Sequence, residues 1–326
     1  MIYNINIYYY SINPFSKKII SLSPIANSPL YKLKIFDVEE EKCFEMKLTL
    51  RIINSLDGIS QININNSLYL CGSNDDTSNS IGSYLLKIDI STTPLLPMPQ
   101  INSIFAHNSP SLLCYKGNNL IVIGGKHQTQ CEMYEIPSKW KQLPPLPNER
   151  YKCSLVADEK HSTIYLFGGY TTTDSNDGVS SSNKGNNNNN NNQYENYNSI
   201  LRLNLNSNNA WEVLFVKEND TFLARNSSVS FIFENSDVVY ICGGKDNNDN
   251  DTEYIVEFDI SKRNVKKSQL TLKKTACFDI EGCVDLNKMH FAFFDNNDFV
   301  HTISRNFKMS IIKFETFVPQ QGIMSN

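Results

Sequence analysis

One pattern constrains this chain more than any other: a short apolar run that ends in a glycine pair, repeated along the sequence. It reads Leu120-Ile-Val-Ile-Gly124-Gly125, then Ile164-Tyr-Leu-Phe-Gly168-Gly169, then Val238-Val-Tyr-Ile-Cys-Gly243-Gly244. A weaker copy is Leu68-Tyr-Leu-Cys-Gly72-Ser73. The intervals from Gly72 to Gly124 and from Gly124 to Gly168 are similar in length. The interval from Gly168 to Gly243 is longer, but it contains a tract from Thr171 to Tyr197 that is rich in Thr, Ser, Asp and Asn. With that tract set aside, the third interval falls between the other two. A period just under about fifty marks an array in which one supersecondary unit recurs and neighbouring copies cover each other's apolar faces.

Each glycine motif is followed by a second strand-like run with an acidic or amide residue near its end: Asp89, Glu135, Asn204 and Asp259. Trp140 lies five residues past Glu135, and Trp211 seven past Asn204. A Pro-rich link, Leu143-Pro-Pro-Leu-Pro147-Asn-Glu-Arg150, then leads to an arginine. The offset from Arg150 to Gly168 is identical to the offset from Arg225 to Gly243. The outer units depart from the pattern. Near the N-terminus, Tyr31–Asp37 repeats the acidic-ended strand and Phe44 stands where Trp211 stands beyond Asn204, but Ser23-Pro-Ile-Ala26 replaces the glycines. Near the C-terminus, Asp295-Asn296 replaces them. The run Ile5–Ile12 is either the inner strand of the first unit or a strand completing the last. Short β-branched and aromatic runs bounded by Asn, Gly, Ser and Pro dominate, and no window keeps a helical period.

The glycine pair after an apolar strand, the acidic-ended strand, the Trp and the Pro-x-x-Arg link resemble kelch repeats, chiefly over Leu68–Ile260. The resemblance implies an all-β fold: a kelch-type β-propeller, with six four-stranded blades accounting for the length. Five or seven blades remain open because both end units diverge. The whole chain, 1–326, is then a single propeller domain. Residues 171–197, with seven consecutive Asn at Asn186–Asn192, form a disordered loop inserted in a blade. Gly72, Gly124, Gly125, Gly168, Gly169, Gly243 and Gly244, with Trp140 and Trp211, are the structural residues of the motif. In kelch adaptor proteins, loops on one propeller face present Arg, Tyr and Ser to an acidic peptide. By that resemblance Arg150 and Arg225 are candidate partner contacts, and His127, Tyr170 and Lys245, just beyond their glycine turns, form a second rank. The competing reading makes each arginine a structural tie to a neighbouring carbonyl or acid.

Composition narrows the function classes. With 30 Lys+Arg against 34 Asp+Glu, the net charge is −4, the wrong sign for a surface built to bind nucleic acid. No apolar run is long enough to span a membrane, and the N-terminus has no signal-peptide pattern. A cytoplasmic protein is therefore expected. None of the eight Cys forms a C-x-x-C pair, so buried reduced thiols are expected rather than disulfides or zinc. The five His show no ligand spacing, and no P-loop, nucleophile elbow or dinucleotide fingerprint occurs. The expectation is a non-catalytic module, without cofactor or metal, that binds a protein or peptide through one loop face. The alternatives are a propeller enzyme acting on a small sugar-like substrate and a scaffold for actin or another filament.

Overall fold

A computed structural model of the chain describes residues 18–37, 42–48, 58–64, 67–73, 84–89, 101–136, 139–173, 193–207, 210–214, 224–233, 235–248, 250–252, 254–271, 283–286, 290–294, 299–304 and 309–313. Every regular element among them is a strand. The first sheet has three: β1 (Lys18–Pro24), β2 (Tyr31–Asp37) and β3 (Lys42–Leu48). Five four-stranded sheets follow. The first two are β4 (Ile59–Ile64), β5 (Ser67–Gly72), β6 (Tyr84–Asp89), β7 (Ile101–Asn102), and β8 (Ser111–Tyr115), β9 (Asn119–Gly125), β10 (Gln128–Glu135), β11 (Lys139–Leu143). The next begins with β12 (Ser154–Asp158) and β13 (Thr163–Phe167). It then sends out a hairpin, β14 (Tyr170–Thr173) and β15 (Gln193–Asn196), before β16 (Ile200–Asn204) and β17 (Glu212–Leu214) complete it. The last two are β18 (Val229–Ile232), β19 (Val238–Cys242), β20 (Tyr254–Asp259), β21 (Asn264–Thr271), and β22 (Cys283–Leu286), β23 (His290–Phe294), β24 (Phe299–Ser304), β25 (Met309–Lys313). All pairings are antiparallel meanders, with the glycine-ended strand second in its sheet.

The apolar runs are strands buried on both sides, so they read as continuous hydrophobic stretches rather than alternating ones. Burial falls off outward: β13 is buried throughout, whereas β11 and β17 are mostly exposed. The core is divided into clusters between successive sheets. Ile20, Leu22 and Leu33 meet Leu68 and Leu70; Tyr69 and Leu85 meet Leu120 and Val122. Ile121 and Ile123 meet Leu166 and Leu201; Tyr165 and Phe167 meet Val239 and Phe258. The first strands β4, β8, β12 and β18 approach one another in succession, and β1 touches both β4 and β22. The sheet β1–β3 therefore sits between the first and last four-stranded blades.

The expected six four-stranded blades are thus corrected: among the described residues five sheets have four strands and the N-terminal one has three. The connection from the end of β3 at Leu48 to the start of β4 at Ile59 is as long as that from the outer strand β11, ending at Leu143, to β12 at Ser154. β3 therefore occupies the outer position and β1 the second. The run Ile5–Ile12 lies outside the described residues. The Asn-rich insertion is narrower than its sequence suggested, because Tyr170–Thr173 and Gln193–Asn196 pair as a hairpin; residues 174–192 lie outside the described residues. No helix among the described residues is long and apolar enough to cross a membrane.

Candidate binding face

The glycine pairs, the links entering each inner strand and the β14–β15 hairpin share one end of the sheets. Gly124 and Gly244 show why the motif is glycine. Gly124 has φ of 58°, and a Cβ there would lie 2.6 Å from the carbonyl oxygen of Arg150. Gly244 has φ of 87°, and its Cβ would lie 2.4 Å from the Asn226 carbonyl oxygen. Left-handed backbone and the close passage of a link both exclude a side chain.

The links use the room so created. The Gly125 amide donates to the Arg150 carbonyl at 3.0 Å, and the Gly169 amide to the Arg225 carbonyl at 2.9 Å. Each arginine thus receives the second glycine of the preceding blade. Its side chain then turns back to the first glycine of its own blade: Arg150 Nη1 donates to Gly168 O at 3.4 Å and Arg225 Nη1 to Gly243 O at 2.9 Å. The Arg150 guanidinium lies 3.9 Å from the Tyr197 ring centre and donates through Nη2 to Ser199 Oγ. The Arg225 guanidinium lies 4.7 Å from the Tyr254 ring centre. Arg150 is 3% and Arg225 1% exposed, and burial pushes both below the usual arginine pKa. The expectation that these two side chains meet a partner is corrected: they are interior clasps, turned inward because their own links are already bonded to the preceding blade.

A third clasp has no arginine to announce it in the sequence. His107 holds the same place before β8, with Nδ1 donating to Gly124 O at 2.7 Å and Nε2 3.1 Å from Glu132 Oε1. Both side chains are fully buried, and Glu132 Oε2 accepts from the Ile104 amide at 2.9 Å. Its signal was position: a titratable side chain one place closer to its first glycine than the arginines are to theirs. After the clasps, Ser109, Lys152 and Ser227 all have positive φ near 52°. The Ser109 amide donates to Gly58 O and the Ser227 amide to Lys152 O, so neighbouring links are stitched around the mouth of the ring.

The second-rank residues lie further out. The His127 side chain is 46% exposed, with Nδ1 3.5 Å from Glu149 Oε2. Glu149 also accepts from Thr171 Oγ1 of β14. Tyr170 bridges by backbone to Tyr151, and their rings lie 4.0 Å apart. Lys245, half-buried, bridges Asn226 and Asp251. The far root of the hairpin is held by Asn196, which donates to Lys245 O, accepts from Asn226 Nδ2, and takes Asn247 Oδ1 on its own amide. The hairpin is therefore tied to the links and turns on both sides. Trp211 is buried among the residues joining β8–β11 to β12–β17, with its indole donating to Pro144 O; Trp140 packs on Tyr134 at the preceding junction.

Among the described residues, no group of three His, Cys, Asp or Glu is placed to hold a metal ion. Cys71, Cys114, Cys131, Cys153 and Cys242 are free thiols. Desolvation pushes Cys114 and Cys153 up to about 11 and Cys131 and Cys242 up to about 12, the behaviour of packing residues rather than nucleophiles.

The sequence matches no protein-family model, and no curated protein matches it. Its structure is similar to the solved structure titled "Structure of YjhT", with a TM-score of 0.59 and 11% identity, covering 91% of this chain and 98% of that one. At that identity the likeness speaks for the fold alone, and the fold is a β-propeller.

Proposed function

We propose that the chain is a kelch-type propeller acting as a non-catalytic interaction module, which binds a protein or peptide through the glycine-pair face. The observation that carries this reading is the β14–β15 hairpin. It stands out from an otherwise regular blade on that face only, and it is tied through Glu149, Asn196 and Asn226 to the loops beside it. A projecting element on a rigid scaffold is the usual way a repeat fold gains a recognition surface. With Arg150 and Arg225 committed to the interior, His127, Tyr170 and Lys245 become the contacts that matter. An imidazole, a phenol and an ammonium on one face suit polar and acidic groups of a peptide. The test is affinity capture from native lysate, comparing the wild type with the triple variant His127→Ala, Tyr170→Ala, Lys245→Ala. Equal thermal melting of the two proteins controls for folding. Loss of a discrete set of captured proteins in the variant supports the reading, and identical capture overturns it.

A further inference from the structure

Two neighbouring junctions of the ring share one frame and differ in chemistry. Ser111 at the start of β8 lies opposite Ile123, the residue before a first glycine, and Ser154 at the start of β12 lies opposite Phe167, in the same place. Leu155 lies opposite Leu166 and Ser230 opposite Ile241, each partner standing two residues before a first glycine. Cys153 and Ser228 match as well. A Cβ on Gly169 would collide with Cys153 Sγ, and one on Gly244 would lie 3.0 Å from Ser228 Cβ.

Between β8 and β12 the frame is closed by direct contact. The Cys153 amide donates to Ser111 Oγ at 2.9 Å, and Leu155 packs in one cluster with Ile121 and Ile123 of the preceding blade. Between β12 and β18 the same places carry hydroxyls. Ser154 shares a face of β12 with Val156, which packs in one cluster with Val239 and Val256. Ser230 shares a face of β18 with Ile232, which packs against that same cluster. Both serines therefore turn into this junction, and Ser228 precedes Ser230 in the place of Cys153. Ser154 is 2% and Ser230 7% exposed. The Oγ atoms of Ser154, Ser228 and Ser230 are all buried with no hydrogen-bond partner among the described residues. A buried hydroxyl without a partner is costly. Serines at the places of Cys153 and Leu155 also fill less space than those side chains do.

We propose that the β12–β18 junction is a binding site for a buried water, held by the hydroxyls of Ser154, Ser228 and Ser230 in place of the direct stitch between Cys153 and Ser111. The three groups are uncharged and each both donates and accepts, which suits water better than an ion of either sign. A buried water makes about three hydrogen bonds to groups of this kind. The Ser227 amide donates to the Lys152 carbonyl at 3.0 Å, tying the two links together just before the hydroxyls. The water therefore exchanges with solvent only when that tie parts.

A crystal structure of the full chain tests this directly. The expected result is a solvent atom within about 2.7–3.2 Å of two or more of these Oγ atoms. In solution, oxygen-17 relaxation dispersion counts long-lived internal waters. The double variant Ser228→Cys, Ser230→Leu copies the β8–β12 junction and is expected to hold about one fewer such water than the wild type. Thermal melting checks that the variant folds, and Ser230→Val, a smaller change, repeats the count if it does not. A Ser228 amide bonded directly to Ser154 Oγ, with no solvent atom between them, overturns the proposal. So does a metal ion or another non-water atom at the site, and so do equal water counts in the wild type and the folded variant.

Discussion

The clasp before β18 and the clasp before β8 perform one task with opposite chemistry. Before β18, a guanidinium reaches Gly243 O and rests on the face of Tyr254, so its charge is balanced by an aromatic ring and carbonyl oxygens. Before β8, an imidazole reaches Gly124 O and its other nitrogen faces a fully buried carboxylate. What the position demands is a donor that crosses from the link to the first glycine's carbonyl. The residue type is free, provided the blade supplies something to balance it. The two solutions differ in their vulnerability. The arginine clasp loses one set of bonds when cut, whereas the histidine clasp leaves an uncompensated group behind.

That difference can be broken in order of effect. Glu132→Ala strips the partner from a buried His and from the Ile104 amide, and urea unfolding should show a loss of about 4 kcal/mol. Arg225→Met keeps much of the side-chain volume but leaves Gly243 O without its guanidinium donor, and the same measurement should show about 3 kcal/mol. A comparable or larger loss for Arg225→Met would end the distinction between the two clasps. The distinction is sharpened by converting one into the other. Leu201 stands opposite Leu166 as Glu132 stands opposite Val122. The pair His107→Arg with Glu132→Leu therefore rebuilds the arginine form in the β8–β11 blade, and it should exceed Glu132→Leu alone by about 1 kcal/mol. No gain would mean that the two sites are not equivalent. The smallest effect belongs to an ion pair outside the clasps. Arg263, in the turn between β20 and β21, reaches Glu212 of β17 at 3.6 Å, with more than half of its side chain exposed. Arg263→Ala should cost less than about 0.5 kcal/mol, falling further with added salt.

Much of this architecture could be read from residue order. The Asp37 and Phe44 offsets place β2 and β3 in the third and outer positions of a blade, in keeping with the length of the connection from β3 to β4. The glycine pairs mark second strands because a Cβ at Gly124 would lie 2.6 Å from the carbonyl oxygen of the passing link. Three things were hidden. A spacing locates Arg150 and Arg225 along the chain but says nothing of which way a side chain turns; that is decided by bonds to Gly125 and Gly169 from the neighbouring blade. His107 differs from the arginines in both type and offset, so no shared motif marks it. The β14–β15 hairpin is Tyr, Thr, Gln, Glu and Asn, with no alternation of apolar and polar residues, and backbone pairing plus its ties to Glu149 and to the Lys245 carbonyl hold it.

The tie from the Gly169 amide to the Arg225 carbonyl has a consequence for how the chain tolerates its asparagines. The tract Thr171–Tyr197 lies between these two residues and supplies nearly half of the chain that separates them. The entropy of bringing loop ends together grows only with the logarithm of length, so a near-doubling of the loop costs about 0.6 kcal/mol. The paired stems at Tyr170–Thr173 and Gln193–Asn196 then confine the added length to the hairpin tip. A lengthening that would split most strand-to-strand connections is thereby reduced to a minor tax on one closure, and the insertion can grow or shrink while the ring beneath it stays shut.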